Sequence, residues 1–168
     1  LKNSYTTTLD LNNHKIYSTQ TFYLNDATHA DWALIRVAKG TFIITDSSDE
    51  KGGMISAKAD SREFAINVRR YNHADCEFAK VVIDAGIFKG NEHVVYVADG
   101  IAEIKGGTFE LLSEAMNDDR TAPIENSWSY MLNCINSGYN AEPKTANIIV
   151  TGGTFLNGFN PADNYAIS

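Results

Sequence analysis

The chain repeats itself, and that repetition limits its possible folds more than any other feature. Three segments align: KVVIDAGIFKGN at 80–91, AEIKGGTFELL at 102–112 and NIIVTGGTFLNG at 147–158. Each carries alternating apolar residues, a small pair, a β-branched or Thr position and then Phe. The shared landmarks are Gly86, Gly107 and Gly153, followed by Phe88, Phe109 and Phe155. Gly86 and Gly107 are 21 positions apart and Gly107 and Gly153 are 46 apart, so the second interval is two periods or one period with an excursion. Fainter copies precede them: LDLNNHKIYST at 9–19, closed by an Asn-rich turn, and TFIITDSSDEKGGMISAK at 41–58. Further short runs, ALIRVA (33–38), FAINVR (64–69), HVVYVA (93–98) and YMLNCI (130–135), lie between the copies.

The residue types say what each copy becomes. Val, Ile, Phe, Tyr and Thr favour a pleated, half-buried surface. Alternation sends Ile83 and Ala85, or Ala102 and Ile104, to one face. The glycine pair opens backbone angles closed to other residues, so the chain turns a corner, and Phe then points inward again. Helical periodicity is nearly absent; only ELLSEAMNDD (110–119) has room for a turn or two. Hairpin turns of Asn-Gly type, which a sandwich would need, do not join the runs. Equivalent strands one period apart stack in parallel as rungs of a solenoid, about five in number here, with the three phenylalanines in one interior column. The expected fold is all-β, in a single domain over residues 1–168.

VVYVADGIAEIKGGTFEL (94–111) and NIIVTGGTF (147–155) resemble rungs of right-handed parallel β-helices of the pectin-lyase-like kind, and the resemblance covers most of residues 9–157. The phrase GGTFLNGFNPADN (152–164) is similar to β-helical proteins of gut Bacteroidetes and their phages. The resemblance implies a right-handed parallel β-helix of about five irregular rungs. It also implies either a virion, tail-fibre or surface protein, or a secreted carbohydrate-active relative. The Asn-Thr-Asp, Gly-His-Gly and Arg-Ile-Lys signatures of the pectin-hydrolase relatives do not occur, which weakens the enzyme reading.

Composition trims the functional classes. A net charge of −7 disfavours a phosphate-binding surface, so no nucleic-acid partner is expected. No apolar run approaches the roughly 18 residues of a spanning helix. Cys76 and Cys134, 58 positions apart, do not make a disulfide framework and read as free thiols. The chain opens on Leu1, which reads as a processed or internal start, and a short solenoid exposes strand edges at its ends. A continuation, or self-association as a trimer or a stack, is therefore expected.

Two polar stretches break the rungs, 112–128 and 136–146, and such insertions become loops on one side. Around them, ENSWSY (125–130) and NSGYN (136–140) place Trp128, Tyr130, Tyr139 and Asn140 as a candidate glycan-contact or interface patch. Aromatic faces stack on sugar rings while amides supply hydrogen bonds. Trp32, Phe159 and Tyr165 share the tendency to lie near loops.

Catalytic carboxylates in such folds flank a glycosidic bond as a pair. Asp75, Glu77, Asp84, Glu92, Asp99 and Glu103 read instead as solvated acids on strands, with Asp84 close to Lys105 of the next rung. Asp118, Asp119 and Arg120, and Asp46, Asp49 and Glu50, lack the alternating spacing of a calcium loop and read as solvated turns. His14, His29, His73 and His93 are scattered without metal-ligand spacing. No catalytic residue, metal or cofactor is assigned. The sequence thus points to a non-enzymatic structural or attachment component in a virion, outside the cell or at its surface. Its partners would be copies of itself, other virion proteins or a cell-surface polysaccharide. A secreted carbohydrate-active enzyme or glycan-binding module is the alternative.

Overall fold

The structure is a computed structural model and describes residues 5–20, 33–58, 63–70, 78–112, 130–135 and 146–156. The described residues form strands and connections, with no helix among them. In chain order the strands are β1 (Thr6–Asp10), β2 (Lys15–Tyr17), β3 (Ala33–Val37), β4 (Gly40–Thr45), β5 (Met54–Ser56), β6 (Phe64–Arg69) and β7 (Ala79–Ile83). They continue with β8 (Ile87–Gly90), β9 (His93–Ile104), β10 (Thr108–Leu111), β11 (Tyr130–Cys134), β12 (Ala146–Val150) and β13 (Thr154–Leu156).

Every strand pairing is parallel, as the repeat spacing predicts. The pairings sort into three ladders. The first runs β1–β4–β7–β9–β12, the second β2–β5–β8–β10–β13, and the third β3–β6–β9–β11. The long β9 serves twice: residues from His93 to Val97 pair in the third ladder, and Gly100–Ile104 pair in the first. It thereby joins those two ladders into one eight-stranded sheet, while the second ladder is a separate five-stranded sheet. The change of partners within β9 falls at Gly100, whose φ of 138° side chains rarely adopt, and where a Cβ would run into the carbonyl of Ala79.

Register puts equivalent residues directly above one another. Leu9, Ile44, Ile83, Ile104 and Val150 align in the first ladder. Ile16, Ile55, Phe88, Phe109 and Phe155 align in the second, and Ile35, Ile66, Val95 and Leu132 in the third. The central members of all three columns are fully buried, and with their neighbours they form one continuous core. The expected phenylalanine column is present. The rings of Phe88 and Phe109, and of Phe109 and Phe155, have centroids 5.1 Å apart at 17°. This spacing matches the roughly 4.8 Å between hydrogen-bonded strands, so each ring rests on the one below. Gly86, Gly107 and Gly153 precede these rings with φ of 118°, 96° and 114°, the corner geometry expected of them. Asn12 and Asn13 make the tight turn after β1 with φ of 42° and 63°.

Some expectations need adjustment. The copies and the runs between them build three ladders: each copy divides at its glycine corner between the first and second, and the short runs at 33–38, 64–69, 93–98 and 130–135 supply the third. Ala85 is a half-buried corner residue and does not continue the buried alternation of Ile83. Glu110 and Leu111 continue strand β10, leaving only Leu112 of the proposed helical stretch among the described residues. The excursions 112–128 and 136–146 otherwise lie outside the described residues, apart from Ala146 at the start of β12.

Candidate functional site

Three places on this frame concentrate unusual chemistry. The first is a cluster on the third ladder. His93, at the start of β9, is 4% exposed, stacks on Tyr96 (centroids 5.3 Å apart at 7°) and Tyr130 (5.8 Å), and packs tilted at 36° against Phe64 (4.6 Å). The backbone N–H of Tyr130 donates to Nδ1 of His93 at 3.3 Å, and the side-chain amide of Asn133 lies 2.9 Å from Nε2. The same Tyr130 N–H donates to the Glu92 carbonyl at 2.8 Å, and the atom facing Nε2 is Nδ2 of Asn133, so both ring nitrogens lie against polar partners. Burial among aromatic rings pushes the imidazole pKa down to about 3. His93 is thus a neutral, two-bonded structural residue, closed off from solvent, which is poor placement for a proton shuttle.

The second place is the corner after β1 and β4. Asp46, expected to be solvated, is buried at 1% exposure. Its carboxylate accepts the Ser48 hydroxyl at 2.7 Å and the backbone N–H groups of Gly53 (2.7 Å), Asn13 (3.0 Å) and Ser48 (3.2 Å). The Ser48 hydroxyl and these amides hold its pKa down at about 2. One rung below, Asp10 accepts the Ser47 hydroxyl and backbone N–H at 2.6 and 2.9 Å, and its pKa is lowered chiefly by that hydroxyl. These carboxylates replace the backbone acceptors that a strand would supply at a corner. Among the described residues no group of three or more metal-ligating side chains forms.

The third place is the pair of open ends. Among the described residues the exposed large hydrophobics are Tyr5, Ile16, Tyr17, Ile149, Val150 and Leu156. All lie in, or next to, the outermost strands of the first two ladders: β1 and β2 at one end, β12 and β13 at the other.

Three of the sequence-selected acids, Asp84, Asp99 and Glu103, form ion pairs between strands or their ends. Lys105 approaches Asp84 at 3.7 Å, as register requires, in a largely exposed pair. Glu103 meets Lys80 at 2.6 Å, and Glu110 meets Lys89 at 2.7 Å. Asp99, expected on the surface, is buried at 2% exposure and is held by Arg70 at 3.1 Å. Glu92 is half-buried. Asp49 and Glu50 are exposed, as is His14.

Of the candidate aromatic patch, Tyr130 is half-buried against His93, while Trp128, Tyr139 and Asn140 lie outside the described residues. So do Trp32, Asp75, Cys76, Glu77, Asp118, Asp119, Arg120, Phe159, Tyr165, His29 and His73. Cys134 is a free, half-buried thiol whose pKa is raised by burial. Sequence reading expected strand edges exposed at the ends but passed over the His93–Asn133 contact, for which the available signal was the 37-residue register between His93 and Tyr130.

In comparisons with known proteins, no family model, no curated protein and no solved structure matches this chain.

Proposed function

We propose that the chain is a right-handed parallel β-helix of about five rungs and serves as a non-enzymatic structural or attachment component. The proposed setting is a phage virion, a tail fibre or a bacterial surface adhesin, where it associates with copies of itself or with neighbouring proteins. The observation that carries this reading is the distribution of exposed apolar side chains. The interior columns are closed along their length, and the large exposed hydrophobics among the described residues lie at the two ends. A domain working alone in solution has reason to blunt such ends, because open strand edges template further pairing. The ion pairing of Asp84, Asp99 and Glu103 also favours this reading over glycosidic cleavage, which needs two carboxylates facing one bond.

Sedimentation velocity over a hundredfold range of concentration tests the proposal. Concentration-dependent association supports it, whereas a monomer throughout the range overturns it. The alternative, a carbohydrate-active or glycan-binding module, is tested with acidic polysaccharides in the presence and absence of Ca²⁺. New reducing ends or unsaturated products would replace the structural reading.

A further inference from the structure

The two ends are not merely apolar; they match. In the first ladder the register carries Leu9 through Ile44, Ile83 and Ile104 to Val150. In the second it carries Ile16 through Ile55, Phe88 and Phe109 to Phe155, and Tyr17 through Ser56, Lys89 and Glu110 to Leu156. The first and last members of each column lie at opposite ends of the ladders. Ile16 is 37% exposed at one end and Val150 43% exposed at the other, while Tyr17 and Leu156 are 60% and 41% exposed. A strand that extends these ladders as they stand is parallel and continues two ladders at once. The opposite end of the same chain does both, and it sets Val150, Phe155 and Leu156 in register with Leu9, Ile16 and Tyr17, while Ile148 and Ile149 fall on Thr7 and Thr8.

We propose that copies of this chain stack head to tail, with β12 and β13 of one copy pairing in parallel with β1 and β2 of the next. Val150 of one copy then covers Leu9 of its neighbour, Phe155 covers Ile16, and Leu156 lies beside Tyr17. The contact is heterologous, so the stack is open and grows by addition rather than closing as a dimer or trimer. Its driving forces are completion of the apolar columns and of the edge hydrogen bonds. This inference rests on the self-assembling reading above and specifies its geometry.

Blocking one end at a time provides the test. Ile16→Asp spoils the β2 end and Val150→Asp the β12 end, each by carrying a charge into the contact. Tyr17→Lys and Leu156→Lys make a second pair at exposed positions facing outward, for use if Ile16→Asp fails to fold by circular dichroism. Wild type should form a polydisperse, concentration-dependent series in sedimentation velocity. Each single variant should associate at least about 100-fold more weakly. An equimolar mixture of the two variants retains one intact β12–β13 end and one intact β1–β2 end, so it should form a heterodimer that grows no further.

Three results overturn the inference. If the mixture gives no heterodimer, the ends do not recognise one another. If one single variant still dimerises, the contact joins like ends. If both single variants still associate, the contact is lateral. In the last two cases self-assembly stands while the head-to-tail geometry falls. A wild type that remains monomeric throughout removes both.

Discussion

Phe109 sits at the middle of the aromatic column, and replacing it with Ala measures how far the fold depends on that column. The side chain is fully buried, with Phe88 on one face and Phe155 on the other, each at 5.1 Å between centroids. Truncation removes the ring and leaves a cavity between two stacked neighbours that the parallel ladders hold apart, so little collapse can repair it. Buried Phe→Ala substitutions cost about 3–5 kcal/mol, and a site that cannot collapse belongs at the upper end. The same change at Phe155, which is half-buried at the last strand, should cost about 1–2 kcal/mol, because part of the ring already meets water. Urea unfolding followed by far-ultraviolet circular dichroism reads the difference, at concentrations low enough to suppress association. With a slope near 2 kcal/mol/M, Phe109→Ala should lower the midpoint by about 2 M and Phe155→Ala by about 0.5–1 M, at unchanged slope. A loss at Phe109 no larger than at Phe155 would refute the column as the main interior support. A changed slope would mean that the rungs unfold separately, as repeat proteins can.

Other consequences are equally accessible. His93 is held neutral in the fold, so below its unfolded pKa of 6.5 the unfolded chain binds a proton that the folded chain refuses. Stability should therefore fall as pH drops from about 6.5 towards 3, by on the order of 2 kcal/mol at pH 5, and His93→Phe should flatten that slope in thermal melts. Asp46 acts in a lower window: its contribution is complete above pH 3.8 and is lost as pH falls to about 2. At neutral pH, Asp46→Ala should lower Tm while the exposed Asp49→Ala leaves it unchanged. Gly107→Ala should destabilise by about 1–3 kcal/mol in urea, since φ is 96° and a Cβ would press on the Gly86 carbonyl at 3.0 Å and on the Phe88 ring at 3.1 Å. Asn67 is fully buried, and neither atom of its amide has a hydrogen-bond partner among the described residues. Asn67→Leu should therefore raise the urea midpoint, by about 1 kcal/mol in stability, and a loss would show that the amide is satisfied after all.

Much of this architecture was readable along the chain, and specific residues show why. Phe88, Phe109 and Phe155 each follow a glycine (Gly86, Gly107 and Gly153) at the same offset, and in-register parallel pairing converts equal offset into vertical stacking. The Asp84–Lys105 approach followed from the same arithmetic. The runs that form the third ladder were visible, but not that β9 continues through Gly100 without a break, so that one strand serves two ladders. Asp46 and Asp99 looked like surface acids because a carboxylate is solvated by default. Nothing in DSSDEKGG or VADG indicates that three backbone N–H groups, or the guanidinium of Arg70, will converge on them.

What the chain determined by itself is periodic: strand type, parallel stacking, the corner glycines and the residues that fill the second column. These depend on local backbone preference and on the distance between copies, both of which are written in order along one dimension. What only the tertiary structure decided is which polar groups meet, since His93 with Asn133, Asp46 with Gly53 and Arg70 with Asp99 come from separate strands and corners. It also decided that apolar members of the outermost strands of two ladders are left exposed. Burial is a property of neighbours, and a column exposes its final member only where the ladder stops.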